Sequence, residues 1–191
     1  IDFSAYERVF GFSNLFKFDP SYSELFLTSR IIDSLIIGLG SSSLTLIIGI
    51  YAGYYISRVN FKFKRYLIIS ILSARMMPLV SIAIPIYFVY EKINLLDTYI
   101  GIIFVHTFIN LPLAVLLLKS FFDEVPKQID ENAYIDGASK IKILHKLVVP
   151  CAKSGIAVTF ILSLIFSWTE FICALMIGQM NVKTIPVQAS I

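Results

Sequence analysis

The chain reads as all-α, a polytopic bundle of membrane-spanning helices, and three features carry that reading. The first is composition: 57% of the 191 residues are hydrophobic, 15% are charged, and the mean hydropathy is +0.80. A soluble domain holds roughly 45–50% apolar and 25% charged residues. The second is a set of four long apolar runs, and the third is the uneven way basic residues fall between them. Together these exclude a water-soluble monomer, and a formal charge of +3 scattered along the chain gives no footprint for nucleic acid.

In chain order, residues 1–30 are polar and aromatic with turn signals at Asp19 and Pro20, and are expected to form an extracytoplasmic loop. The transmembrane part, residues 31–191, follows with spans at about 31–55, 66–90, 99–118 and 156–180. Within these runs the only charged residues are Asp33, Arg75 and Glu170. Each run meets the ~20 residues a bilayer requires, and lipid offers the backbone no hydrogen-bond partner, so each is predicted to be a helix. Pro78, Pro85 and Pro112 are expected to kink these helices without ending them. Ser41, Thr45, Gly49 and Gly53 recur at a spacing of four, a face on which a second helix can approach closely. Gly38, Gly40 and Ser41 to Ser43 complete no phosphate-binding loop, because no G-K-[ST] occurs anywhere; the chain itself is therefore not expected to hydrolyse nucleotide, and no enzyme activity or cofactor is implied. Cys151 and Cys173 read as free thiols, and neither His106 nor His145 has metal-ligand neighbours in sequence.

Sidedness follows from the basic residues. Arg58, Lys62, Lys64 and Arg65 follow the first run; Lys119, Lys127, Lys140, Lys142, Lys146 and Lys153 follow the third. The alternate side holds Arg8, Lys17, Arg30, Lys92 and Lys183. Ten against five places the two richer loops in the cytoplasm and both ends of the chain outside. A chain that starts outside without a signal peptide is expected to be a piece of a longer one, with at least one further span upstream.

The cytoplasmic loop 119–153 is long for a connection and reads as helix, turn, helix. Pro126 suits a helix start, Asp136-Gly137 a turn in which glycine takes the left-handed conformation, and Pro150 a stop before the membrane. In the second helix Ile141, Leu144 and Val148 are expected to share one apolar face.

These residues resemble the permease subunits of binding-protein-dependent ABC importers. Their mark is an "EAA" loop with a glycine six positions after the glutamate and a proline nineteen after it. Here Glu131-Asn132-Ala133 is followed by Gly137 and Pro150 at those positions, with Asn132 replacing the first alanine of the pattern. Further matches are Asp33-Ser34, Ala74-Arg75-Met76-Met77-Pro78, Leu95-Leu96-Asp97-Thr98, Asn110-Leu111-Pro112, Ser167-Trp168-Thr169-Glu170-Phe171 and Thr184-Ile185-Pro186. They are similar to the second permease of a maltose-type carbohydrate importer, and the resemblance implies six spans in the whole protein, of which four are visible. It also implies that residues 129–150 couple to a cytoplasmic ATPase, with Glu131, Ala133, Asp136, Gly137, Ala138 and Pro150 as coupling residues. The implied partners are a second permease subunit, a pair of ATP-binding subunits, an extracytoplasmic solute-binding protein, a carbohydrate and the lipid bilayer of a bacterial or archaeal inner membrane.

A charge near the bilayer centre costs at least ~2.5 kcal/mol unless it meets protein or water, which makes Arg75 and Glu170 candidates for the translocation path, with Trp168 beside them. For Arg75 an anchoring role on carbonyls freed by Pro78 and Pro85 stands beside a gating role, and a direct pair with Glu170 is an open alternative. Two other functions stay open at this stage: an ABC permease for a non-sugar solute, and an ion-coupled secondary carrier in which Arg75 and Glu170 are the coupling charges.

Overall fold

The computed structural model describes residues 20–170 and 172–178, with side-chain surroundings from Ile31 onward. The sequence expectations for 1–19, Phe171, the end of the fourth run beyond Gly178, and Thr184-Ile185-Pro186 lie outside the described residues. Within them every regular element is a helix: α1 (Pro20–Arg58), α2 (Lys64–Arg75), α3 (Leu79–Lys92), α4 (Tyr99–Glu124), α5 (Lys127–Ile135), α6 (Lys140–Cys151), α7 (Lys153–Thr169) and α8 (Ile172–Ile177). Ile31–Arg58 of α1 and the whole of α4 are each long and apolar enough to cross a membrane; α2 with α3, and α6 with α7, pass only as bent pairs.

Helices α1, α4 and α7 form the packed centre, and the small-residue face of α1 is its seam, as the fourfold spacing predicts. Ser41 and Thr45 are fully buried. A Cβ at Gly53 would stand 3.0 Å from the Lys119 amide nitrogen and 3.2 Å from the Val115 carbonyl oxygen, so only glycine lets α4 lie this close. Helix α1 begins at Pro20, inside the stretch expected to be loop; proline is tolerated there because the first N–H groups of a helix have no partner within it.

The second apolar run is two helices, not one. Helix α2 stops at Arg75, α3 starts at Leu79, and their axes differ by 87°. Pro78, with ψ of 130°, is the residue that ends the run, contrary to the expectation of a kink. It lacks an N–H and biases the residue before it away from helical geometry. Pro85 and Pro112 do lie inside helices. No α2 side chain is buried, and α3 buries only Ala83. Asn94 and Asp97 take left-handed backbone in the turn before α4, where the Thr98 hydroxyl accepts from Gly101 N–H at 3.1 Å and the Asp97 N–H donates to the Ile177 carbonyl at 2.9 Å, tying this turn to α8.

The fourth run is also interrupted. Helix α7 ends at Thr169, Glu170 has an extended ψ of 120°, and α8 resumes at Ile172. Upstream, α6 meets α7 at 83° through Ala152. Pro150 does not stop α6; it lies in the last turn, after a π-helical turn over Leu144–Val148 in which the Val149 N–H reaches back to Leu144. Such a widened turn accommodates the donor that proline lacks. It also shifts the helix face, so Leu144 and Val148 are buried while Ile141 is 66% exposed, and Ile143 takes the inward place. One apolar cluster holds the hairpin to the bundle through Phe122, Leu118, Ala133, Ile143, Leu144 and Val148; a second joins Ile37, Ala83, Ile102, Val105, Cys173 and Ile177.

Candidate functional site

The hairpin α5–α6 is the better defined of two candidate sites. Helix α5 closes in a Schellman motif: Ala138 N–H donates to the Ala133 carbonyl at 3.0 Å and Gly137 N–H to the Tyr134 carbonyl at 3.1 Å. Gly137 sits at φ +79°, and a Cβ there would meet nothing within 4 Å, so the glycine is required by backbone geometry and not by crowding. Ser139 caps α6.

The two faces of α5 have different tasks. Glu131, Tyr134 and Ile135, at i, i+3 and i+4, point outward, are all exposed and, with one edge of Asp130, line an open groove. Asp130 and Ala133, at i and i+3, point toward the bundle. Ala133 therefore packs inside the apolar cluster. Asp136 and Pro150 are exposed and Ala138 is half-buried at the turn.

Asp130, which sequence reasoning passed over, is the main tie between hairpin and membrane helices. Its carboxylate lies 2.8 Å from Arg58 Nη2 and accepts from the Tyr54 hydroxyl at 2.6 Å, both at the end of α1. Around it Arg58 Nη1 donates to the Phe122 carbonyl at 3.0 Å, Ser57 donates to Asp123 at 2.6 Å, and Lys119 pairs with Asp123. His145 of α6 meets the Tyr51 hydroxyl at 2.9 Å. The available signal was positional: the residue next to Glu131 is rotated 100° from it, onto the face shared with an alanine.

The second site is a cavity of about 840 Å³ between α1, α2, α3, α4 and α7. Its polar wall groups include Arg75, Asn110, Thr169 and Glu170, in otherwise largely apolar surroundings. Arg75 and Glu170 thus share one cavity, but each has its own partner. Arg75 Nη1 donates to the Ile109 carbonyl at 3.0 Å, in the helical turn that Pro112 disturbs, and its guanidinium lies 4.9 Å from the centre of the Phe166 ring. The anchoring carbonyl belongs to α4, not to the segments around Pro78 or Pro85. Trp168 is 39% exposed on α7 and is not part of this wall.

Glu170 is buried. Its two oxygens accept from the Cys173 N–H at 3.0 and 3.1 Å and from the Ala174 N–H at 3.2 Å, which caps the start of α8. His106 of α4, fully buried, places Nε2 3.4 Å from the same carboxylate, with Nδ1 2.7 Å from the Ser167 hydroxyl. Ser167 in turn lies 2.9 Å from the Ser41 hydroxyl of α1. The Ser41 hydroxyl also donates to the Gly38 carbonyl at 3.2 Å, and His106 Nε2, 3.4 Å from the carboxylate, touches it without an aligned hydrogen bond. Among the described residues no group of His, Cys, Asp and Glu is arranged to hold a metal ion.

The chain can be compared with known proteins at this point. The family model for the binding-protein-dependent transport system inner membrane component matches residues 45–191. A sulfoquinovosyl glycerol transport system permease protein of Agrobacterium fabrum is 30% identical over 174 residues, 91% of this chain and 61% of that protein. A trehalose transport system permease protein of Mycobacterium tuberculosis is 34% identical over 148 residues, 78% of this chain and 54% of that protein. A crystal structure of a bacterial ABC transporter involved in the import of the acidic polysaccharide alginate matches with a TM-score of 0.72 at 26% identity, over 100% of this chain and 62% of that one. The chain therefore spans less than two thirds of the length of each of these three proteins.

Proposed function

The chain belongs to the binding-protein-dependent transport system inner membrane component family, and from that premise we propose that it is a permease subunit of an ATP-driven carbohydrate importer. It forms half of a translocation path across the inner membrane, beside a second permease. It performs no covalent chemistry; a pair of separate ATPase subunits supplies the work, and an extracytoplasmic solute-binding protein delivers the sugar.

The single observation that carries this reading is the two-faced α5. Its outer face presents an acid and two apolar side chains, Glu131, Tyr134 and Ile135, for a partner to grip. Its inner face is fixed to α1 through Asp130, Arg58 and Tyr54 and to α6 through the Schellman turn. Movement of the ATPase would be carried by α5 as a rigid piece into α1, and through α6 across the 83° bend at Ala152 into α7. Both α1 and α7 contribute to the cavity wall, so a rotation begun at the hairpin changes the cavity's exposure, the requirement of alternating access. The sugar-transport names of the relatives support carbohydrate as the solute class.

The test is reconstitution of the complete complex in proteoliposomes. Uptake with ATP and no ion gradient is expected, and Glu131→Lys should abolish uptake while the subunit still inserts. Uptake driven by an ion gradient without ATP would overturn the reading in favour of a secondary carrier.

A further inference from the structure

A break in a membrane helix strands N–H groups that lipid cannot satisfy, so whatever answers them decides whether the break persists. At the start of α8 the answer is the Glu170 carboxylate, which takes the N–H groups of Cys173 and Ala174. In an uninterrupted helix those same two donors would bond the carbonyls of Thr169 and Glu170, four residues back. Side chain and backbone thus compete for one pair of donors. The competition has two discrete solutions, a broken helix with the carboxylate as cap and a continuous helix with the carboxylate released toward the cavity it borders.

His106 is placed to decide between them. It reaches Glu170 from α4, it is held from behind by Ser167 of α7, and Ser167 is held by Ser41 of α1. Thr107, next to His106, donates to the Ile103 carbonyl at 2.7 Å and lies 3.3 Å from the Ser41 carbonyl, reinforcing the α1–α4 contact at the same level. The chain of contacts therefore joins α1, α4, α7 and α8, and it ends on the carboxylate that holds the break open.

We propose that the Glu170 break is a two-state hinge in which His106, steadied by Ser167 and Ser41, holds the carboxylate on α8 and so favours the broken helix, while release of Glu170 straightens α7 into α8. His106 is then a positioning residue, and the first task of Glu170 is conformational, with contact to the solute reserved for the released state. This deepens the permease reading above and rests on it for its role in transport, but not for the hinge itself.

The hinge is tested in the complete purified complex by pulsed electron paramagnetic resonance, with spin labels at exposed positions on α4 and α8 (Phe104→Cys and Leu175→Cys, in a Cys151→Ser, Cys173→Ala background). His106→Leu should move the main distance or add a second population, Ser167→Ala should do so to a smaller extent, and His106→Gln, which keeps a side-chain donor, should return the parental distribution. Basal ATPase should rise several-fold in His106→Leu as the cavity loses its fixed wall. Distances unchanged in both His106→Leu and Ser167→Ala overturn the hinge. A Gln variant that behaves like Leu reduces His106 to a packing role and also overturns it. Because the distances need no turnover, a parental complex that failed to couple ATP to uptake would defeat the permease reading without touching this one.

Discussion

Two carboxylates, Asp130 in the hairpin and Glu170 within the fourth run, each attach a short helix to the bundle, and they do so by different chemistry. Asp130 on α5 binds side chains of α1, a guanidinium and a phenol. Nothing in α5's own backbone competes for these bonds, so the attachment is a strut that is either made or lost. Glu170 binds backbone N–H groups that a continuous helix would claim for itself. That attachment is an alternative to another ordered structure. The strut suits transmission of force, and the alternative suits a change of shape.

The largest expected effect breaks the strut. Asp130→Ala leaves the largely buried Arg58 without its carboxylate, and loss of one partner of a buried pair costs about 3 kcal/mol or more. The melting temperature of the subunit should fall and ATP-driven uptake should collapse. Replacing both partners with apolar residues, Arg58→Met with Asp130→Leu, should recover most of the stability, because no uncompensated charge remains, yet leave coupling impaired. Recovery of coupling along with stability would show that the ion pair is not what transmits motion.

Gly137→Val comes next. The left-handed backbone costs a β-branched residue about 1–2 kcal/mol, with no steric neighbour to add to it. A small loss of thermal stability should accompany a large loss of uptake, whereas Gly137→Asn should lie close to the parent. Equal uptake by Val and parental proteins would sink the aimed-turn account of the hairpin.

Two predictions of smaller effect sharpen the contrast further. Cys151, exposed at the end of α6, should escape membrane-impermeant thiol reagents in intact cells and react in permeabilised ones, whereas a cysteine in place of Thr98 should react in both. The opposite labelling would put the Asp130 strut on the wrong side for an ATPase. Trp168→Ala, at an exposed position away from the cavity wall, should change stability by less than ~0.5 kcal/mol and leave uptake near parental, measured beside Glu170→Ala, which should impair it. A loss with Trp168→Ala equal to that with Glu170→Ala would return Trp168 to the translocation path.

What the sequence determined by itself is the part governed by local order along the chain. Apolar run length indicated where the long apolar helices lie. Pro126, Asp136-Gly137 and the spacing from Glu131 to Pro150 marked the hairpin, because capping, left-handed turns and missing N–H groups act within a few residues. The small-residue face of α1 was legible for the same reason. Tertiary structure decided the rest. Arg58 and Asp130 lie far apart in sequence, as do His106 and Glu170, and nothing local says that they meet. A rotation of 100° per residue separates Asp130 from Glu131, so which acid faces the bundle depended on where α5 docks. The π-helical turn before Pro150 changed the face of α6 and sent Ile141 outward. Whether a proline kinks or ends a helix turned on what was available to satisfy the backbone beside it: Pro85 and Pro112 remain inside helices, while the chain turns 87° around Pro78. Satisfaction of buried polar groups is a property of the assembled bundle, and a sequence read one stretch at a time supplies only the donors and acceptors, not their partners.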